Sequence, residues 1–193
     1  MNNRTARFAA TAALLALLAA PRAAFAQEGA VDVADTGDTA WILVSSAFVL
    51  LMAAPGLTLF YGGLVRTKNF LSVIVQCGAI VAVCSLLWIV AGYSLAFGPV
   101  TNGWIGDGSA LMFNNLGNVR AGYAVSESAF ALFQMMFAAI TPALMVGAWV
   151  DRARFSWVVT FCALWGLVVY APTAHWIWGG GWLATKLGVL DFA

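Results

Sequence analysis

The chain has very little charge, and its charged residues are missing from long stretches. Only 9% of its residues are Asp, Glu, Lys or Arg, and its mean hydropathy is +0.90. Soluble domains carry about 25% charged residues, so the composition excludes an ordinary soluble domain and places the chain among membrane proteins. The net charge of +1 also provides no basic surface for nucleic acid.

Four stretches contain no Asp, Glu, Lys or Arg: residues 39–65, 69–106, 128–150 and 155–185. A helix needs about 20 apolar residues to cross a hydrocarbon core of about 30 Å, so each stretch is long enough to cross once and too short to cross twice. We therefore predict an all-α membrane protein, a polytopic helical bundle with four spans at about 39–62, 70–97, 126–150 and 156–178. A polar segment precedes the first span, and Thr36 or Asp38 is predicted to cap that helix.

The N-terminus has an apolar run too short for an ordinary span. Arg4 and Arg7 precede the run Phe8–Ala20, and the segment ends in small residues around Ala26. This pattern predicts a cleavable signal peptide over residues 1–26, with a short anchor helix as the alternative. A signal peptide would place the mature N-terminus outside.

The charged links between spans predict the same orientation. Two cations lie in each of the short links after the first and third spans: Arg66, Lys68, Arg152 and Arg154. The longer link, residues 98–125, contains Arg120 as its one cation and is rich in Gly and Asn, which predicts an exposed, partly ordered loop. Because short basic loops remain cytoplasmic, we predict a multi-pass protein of the cell inner membrane with its N-terminus outside.

Residues for covalent or metal chemistry are scarce. Cys77 and Cys84 are seven residues apart in one helical stretch, about 10 Å of rise, which exceeds the ~7 Å limit for a disulfide. With Cys162 they are predicted to be packing residues, and no Cys/His cluster indicates a metal or cofactor. An intramembrane enzyme would need a nucleophile with a base. No such pair stands out in the sequence, so we predict that the chain is not an enzyme.

Two isolated ionisable residues lie in or beside the spans. His175 is the chain's one histidine and is predicted to be an interfacial or packing residue rather than a proton carrier. Glu127 lies where the third span should begin, where a carboxylate complements the positive helix end. Internal prolines at Pro55, Pro142 and Pro172 predict bent helices, which are common in transporters.

The aromatic residues near the outer ends of spans three and four allow two interpretations. Phe133 and Phe137 lie four residues apart, and three tryptophans cluster later in the chain: Trp176, Trp178 and Trp182. Tryptophans at a membrane boundary usually form an interfacial belt. The alternative is a cage that attracts a small cation through the negative faces of the rings.

Five sequence blocks together resemble the Amt/Mep/Rh ammonium transporter family, and the bacterial ammonium transporters in particular. They are PGLTLFYGGLVRTKN at 55–69, GYSLAFG at 92–98, FQMMFAAITP at 133–142, AHWIWGGGW at 174–182 and LDFA at 190–193. The resemblance covers almost all of residues 40–193. It implies ammonium transport by a homotrimer, in which each subunit has its own pore built as an inverted repeat, with no cofactor.

The resemblance also implies roles for single residues. Phe137 and Trp178 match the aromatics of the external ammonium recruitment site, and Phe133 and Gln134 flank that site. Asp191 matches the family's buried aspartate at the start of helix five, which supports the site. For Trp178 the cage interpretation therefore replaces the belt, whereas Trp176 and Trp182 remain with the belt.

The pore histidines of the family lie on helices after span four, and His175 matches neither of them. Residues 27–193 are therefore expected to be the first four helices of such a transporter, truncated at the start of helix five and unable to conduct alone. The alternative is an ammonium sensor with a C-terminal signalling domain. The family further implies a cytoplasmic regulator of the PII type that docks on the inner loops.

Overall fold

The computed structural model describes residues 33–191, and these residues form a helical bundle. Four helices within this range are long and apolar enough to cross a membrane: Thr36–Leu64, Thr67–Phe97, Glu127–Trp149 and Phe155–Leu187. They coincide with the four predicted spans, which confirms the all-α, polytopic architecture. The predicted signal peptide, residues 1–26, lies outside the described residues.

Each span is a series of shorter helical pieces. The first consists of α1 (Thr36–Leu51), a π-helical turn (Met52–Gly56) and α2 (Leu57–Leu64). The second consists of a 3-10 turn (Thr67–Asn69), α3 (Phe70–Leu87), a π-helical turn (Trp88–Gly92) and α4 (Tyr93–Phe97). The third consists of α5 (Glu127–Leu144) and α6 (Val146–Trp149). The fourth consists of α7 (Phe155–Trp165), a π-helical turn (Gly166–Tyr170), α8 (Ala171–Ile177) and the short α9 (Trp182–Leu187).

Side-chain caps determine where the first and third spans begin. Asp35 is extended and its carboxylate accepts the backbone N–H of Asp38 at 2.8 Å. The cap is therefore Asp35, and the prediction of Thr36 or Asp38 was wrong by one to three positions. In the third span, the Ser126 hydroxyl accepts the Ala129 N–H at 3.3 Å. Both caps satisfy N–H groups that have no partner within the helix.

The bends in the spans follow the prolines only in part. Pro55 lies inside the π-helical turn of the first span, and Pro172 follows the π-helical turn of the fourth. Pro142 lies in the last turn of α5, and the third span is interrupted just after it, at Met145, without a π-helical turn. The second span bends at Trp88–Gly92 without any proline. A Cβ at Gly92 would approach the Trp88 ring to 2.8 Å, so this glycine makes room for the indole.

The end of the fourth span differs from the prediction. The fourth span was predicted to end near residue 178, but Trp182–Leu187 form a further helix, α9. Gly188 then adopts a left-handed conformation with φ of 62°, which ends this helix.

The second span is the centre of the described bundle. Its α3 packs against α2, α5 and α7, and its α4 packs against α8. One core cluster joins α3 to the neighbouring spans and includes Cys77, Cys84 and Cys162, which are buried there as the predicted packing residues. A second cluster, nearer the long link, contains Trp88, Tyr93 and several alanines.

We expect Gly179→Ala to destabilise the junction between α4 and α8. An added Cβ would overlap the Ala96 carbonyl oxygen and would lie 2.7 Å from Nδ1 of His175. Overpacking of this kind costs about 1–3 kcal/mol of unfolding free energy. Thermal unfolding in detergent measures the loss. Gly78→Ala is the matched control, because nothing lies within 4 Å of its Cβ, and equal losses in both variants would contradict the prediction.

Candidate functional site

A cavity of about 410 Å³ lies at the ends of the third and fourth spans nearest the long link. Its lining is mostly aromatic, with one cation and one acid: Phe97, Arg120, Tyr123, Phe130, Phe133, Gln134, Phe137, Ile177, Trp178 and Asp191. The structure thus brings together all five residues singled out from the family resemblance. We call this space the recruitment cavity.

The aromatic wall of the recruitment cavity comes from α5 and the end of α8. Phe133 and Phe137 are one helical turn apart, and their rings meet edge to face with centroids 5.0 Å apart. Trp178 is 41% exposed, and its indole N–H donates to Oδ2 of Asp191 at 2.8 Å. Because the indole is held at its N–H, its orientation is restrained at the cavity wall.

Asp191, which the resemblance implied to be buried, lies beside Trp178 at the end of the described residues. The hydrogen bond from Trp178 makes it a support for that indole. The structure therefore brings Asp191 to the cavity by a direct contact with a predicted cage residue.

An ion pair beside the cavity was not predicted as part of the site. Nη1 of Arg120 lies 2.7 Å from Oε1 of Glu127, and the two side chains are only 18% and 16% exposed. The Tyr93 hydroxyl also donates to this carboxylate. Glu127 thus lies in the first turn of α5, as predicted for the helix N-terminus. It also forms an ion pair with Arg120 and accepts a hydrogen bond from Tyr93.

A short turn of the long link places Arg120 there. The Arg120 N–H donates to the Val125 carbonyl at 2.9 Å, and the Tyr123 N–H donates to the Arg120 carbonyl at 3.0 Å. Gly122 has a φ of 78°, a left-handed conformation that is unfavourable for residues with a side chain. The sequence signal was therefore the glycine after Ala121, which marks a reversal of the chain just before α5.

The long link is more ordered than its glycine and asparagine content predicted. The buried Ser94 hydroxyl of α4 donates to the Asp107 carbonyl at 2.6 Å and accepts the Ala110 N–H at 3.1 Å. The Ser109 hydroxyl donates to the Asp107 carboxylate, which lowers the pKa of Asp107 below its ordinary value. Residues 107–110 are thus fastened to the second span.

The tryptophans at the end of the bundle nearest the long link divide into two groups. Trp176 and Trp182 pack with Trp104 of the long link, with centroid distances of 5.6 to 6.0 Å. The Trp176 indole N–H donates to the Trp104 carbonyl at 2.8 Å. These rings form a cluster that joins the link to the fourth span, whereas Trp178 lines the recruitment cavity. Trp176 and Trp182, which were predicted to belong to an interfacial belt, therefore also pack against Trp104, a contact that the sequence did not indicate.

His175 packs inside the bundle and does not line the recruitment cavity. It is fully buried, which confirms packing rather than an interfacial position. Its Nδ1 lies 3.0 Å from the Ala96 carbonyl oxygen. Since a carbonyl only accepts, Nδ1 is the donor in this contact, and the bond joins α8 to α4.

Residues that could hold a metal are not grouped in the described part of the chain. Residues 33–191 contain no cluster of three His, Cys, Asp or Glu side chains. The chemistry available at the recruitment cavity is therefore that of aromatic faces, one amide, one indole-bound carboxylate and an ion pair. Such an arrangement suits the binding of a small cation by electrostatics and hydrogen bonds.

Comparison with known proteins identifies relatives with transporter names. The chain is 43% identical over 171 residues to the ammonium transporter of Aquifex aeolicus, covering 88% of this chain and 40% of that protein. It is 46% identical over 157 residues to ammonium transporter Amt1 of Archaeoglobus fulgidus, covering 81% and 38%. The chain thus spans about two fifths of the length of these relatives. Their transporter names agree with the prediction that the chain is not an enzyme.

The fold is similar to solved structures as well. The crystal structure of Saccharomyces cerevisiae Mep2 superposes with a TM-score of 0.72 at 39% identity, covering 83% of this chain and 36% of that chain. A structure described as a sensor Amt protein gives a TM-score of 0.69 at 25% identity, covering 75% and 36%. The sequence model of the Ammonium Transporter Family matches residues 40–193. By this match, and by the shared arrangement of its four spans, the chain belongs to the Ammonium Transporter Family.

Proposed function

We propose that this chain serves ammonium transport across the cell membrane, and that the recruitment cavity is the external site where the ion is first bound. Family membership supports the transport function. The observation that carries the site is the meeting of Phe137, Trp178 and Asp191 at one cavity, although they come from separate parts of the chain.

The chemistry of the cavity suits ammonium. Ammonium and potassium have similar radii and equal charge, so a ring face alone attracts both ions. Each cation–π contact contributes about 0.5–2 kcal/mol. Hydrogen-bond acceptors favour ammonium because its four N–H groups donate, and Gln134 and Asp191 supply acceptor oxygens at the cavity wall.

The charges around the cavity also favour a cation. Arg120 contributes a positive charge, but Glu127 lies 2.7 Å from it and compensates that charge. With the carboxylate of Asp191, these three residues have a net charge of −1. A cation that approaches Phe137 and Trp178 is therefore attracted rather than repelled.

Uptake of radiolabelled methylammonium by a transporter-null strain tests the transport function. The complete gene product is expected to restore uptake, and excess ammonium is expected to suppress it by competition. The 193-residue chain alone, which spans 40% of the Aquifex relative, is expected to support none. If the complete gene product is inserted in the membrane but gives no uptake, the transport proposal fails.

A sensor is the second candidate function, because one structural neighbour is described as a sensor Amt protein. A sensor would bind ammonium at the same cavity and change a downstream output. The two functions are separated by measuring binding and uptake on the same preparation. Binding without uptake would favour the sensor, and both together favour the transporter.

The distribution of charge supports the proposed orientation, with the N-terminus outside and the short links in the cytoplasm. The Tyr61 hydroxyl donates to the Leu144 carbonyl at 2.6 Å, which places the two short links at one end of the bundle. Among the described residues that end has a net charge of +3: Arg66, Lys68, Arg152 and Arg154 with Asp151. The opposite end has two cations among the described residues, Arg120 and Lys186, against four beside the short links. The positive-inside rule, which counts cations, therefore orients the short links inward.

Assembly and partners follow from the same proposal. We propose a homotrimer in the inner membrane, a cleavable signal peptide over residues 1–26, and a PII-type regulator that binds the cytoplasmic links. Cross-linking of the purified gene product tests the trimer. Labelling of single cysteines placed in residues 66–69 and 114–118, from outside intact cells, tests the orientation.

A further inference from the structure

The side chain of Arg120 occupies an aromatic cation site of its own. Its guanidinium carbon lies 4.3 Å from the Phe130 ring centroid and 5.3 Å from that of Phe97. Both distances are within the range of cation–π attraction. The carboxylate of Glu127 lies on the same guanidinium at 2.7 Å. We call Phe97, Phe130 and Glu127 the arginine box.

The arginine box adjoins the recruitment cavity. Phe97, Phe130 and Arg120 line the same space as Phe137 and Trp178. Two groups of ring faces therefore lie side by side at the ends of the spans. One is filled by a cation of the chain, and the other is open to a free cation.

The walls of the box are held rigidly. The ring of Phe97 meets that of Phe130 edge to face, with centroids 5.1 Å apart, and its centroid lies 5.6 Å from that of Tyr93. The Tyr93 hydroxyl in turn donates to Glu127. The Tyr123 ring stacks on Phe130 at 6.3 Å. Because these rings support one another, truncation of Arg120 leaves the positions of the rings and the carboxylate defined.

Arg120 is tethered in the box by the backbone of its turn. Its N–H and carbonyl are both hydrogen-bonded within residues 120–125, and the Glu127 N–H donates to the Asn118 carbonyl at 2.9 Å. A tethered group has a high effective concentration at its site. A free cation must therefore compete with a guanidinium that is always present.

We infer that the arginine box is a second binding site for small organic cations, and that Arg120 keeps it closed. Cations that enter the cavity are then directed to the ring faces of Phe137 and Trp178. When Arg120 is truncated, the box accepts a free monocation. Guanidinium fits best, because its planar fork matches both the ring faces and the carboxylate. The directing role depends on the proposed function, whereas the binding itself does not.

Chemical rescue of Arg120→Ala by guanidinium tests the inference. Truncation leaves Glu127 without its cation, so the complete gene product is expected to unfold at a lower temperature. Guanidinium chloride at about 20 mM is far below denaturing concentrations. In it, the unfolding midpoint of the variant is expected to be about 3 °C higher than in NaCl of the same concentration. The wild-type protein is expected to show no such gain. Arg120→Met, which keeps an apolar stem, takes its place if the alanine variant does not fold.

Two further variants make the test specific. Arg120→Ala combined with Glu127→Gln keeps the rings but removes the carboxylate, and it is expected to lose the response to guanidinium. Arg66→Ala removes an arginine at the opposite end and is expected to show no response. The inference would be overturned if guanidinium stabilised the Arg66 variant equally, or if it did not stabilise a folded Arg120 variant.

The directing role is measured separately by uptake. Guanidinium is expected to inhibit methylammonium uptake by Arg120→Ala at a concentration about tenfold lower than in the wild type, since the open box adjoins the recruitment cavity. Equal inhibition in both proteins would refute the directing role. Absence of uptake in the wild type would instead refute the proposed function, and the thermal measurement would still decide whether the box binds guanidinium.

Discussion

Replacing Trp178 with leucine or Phe137 with alanine in the complete gene product is expected to raise the ammonium concentration for half-maximal uptake by about tenfold. Each substitution removes one ring face, and a cation–π contact contributes about 0.5–2 kcal/mol, which is about 2- to 30-fold in affinity. Trp178→Leu also removes the indole N–H that donates to Asp191 at 2.8 Å. We expect the larger effect for this variant, because it also frees the carboxylate from that bond.

The selectivity of the same variants is measured by the inhibition of methylammonium uptake by potassium. With fewer ring faces and a displaced acceptor, potassium is expected to inhibit more strongly relative to ammonium. Trp157→Leu is the matched control, since it removes a half-exposed tryptophan at the opposite end. If both cavity variants keep the kinetics and the potassium response of the wild type, the assignment of the recruitment cavity is wrong.

Truncation of Trp88 to alanine is expected to have the largest effect on stability. This side chain is 2% exposed, and its indole N–H donates to the Ala131 carbonyl at 3.2 Å. Its ring contacts Tyr93, Phe97 and Tyr170 at centroid distances of 5.9 to 6.2 Å. Loss of a buried tryptophan costs about 3–5 kcal/mol of unfolding free energy.

Denaturant unfolding in detergent micelles measures this effect. Trp157→Ala serves as the comparison, because half of its surface is exposed and a smaller loss is expected. Because Phe97 forms a wall of the arginine box and contacts Trp88, Trp88→Ala is also expected to weaken the guanidinium response of an Arg120→Ala background. Similar unfolding free energies for the Trp88 and Trp157 variants would contradict the prediction.

The four spans were predictable because membrane insertion depends on local composition. A charge inside a hydrocarbon core is costly, so charge-free stretches mark the spans without any knowledge of packing. The structure places the spans within a few residues of the predicted bounds, except at α9. That short helix forms beside Trp104 and Trp176, through contacts between residues far apart in the chain.

Local bends were less predictable. Prolines indicated bends in three spans, and each of these spans is interrupted near its proline, but the turn at Trp88 has no proline. The reason is that Trp88 donates to a carbonyl of the third span and needs Gly92 beneath its ring. Such a bend depends on a neighbouring helix, and residue preferences within one span do not report it.

By itself, the sequence determined the membrane class, the four spans, the acidic and basic ends, and the blocks that match one family. These properties depend on residues that are close together along the chain. Only the tertiary structure decided that Arg120, Glu127 and Tyr93 form one network beside Phe130. The sequence presented Arg120 as the lone cation of a loop and Glu127 as the start of a helix. Their pairing required the long link to fold back on the span ends, since an ion pair depends on distance in space rather than on position along the chain.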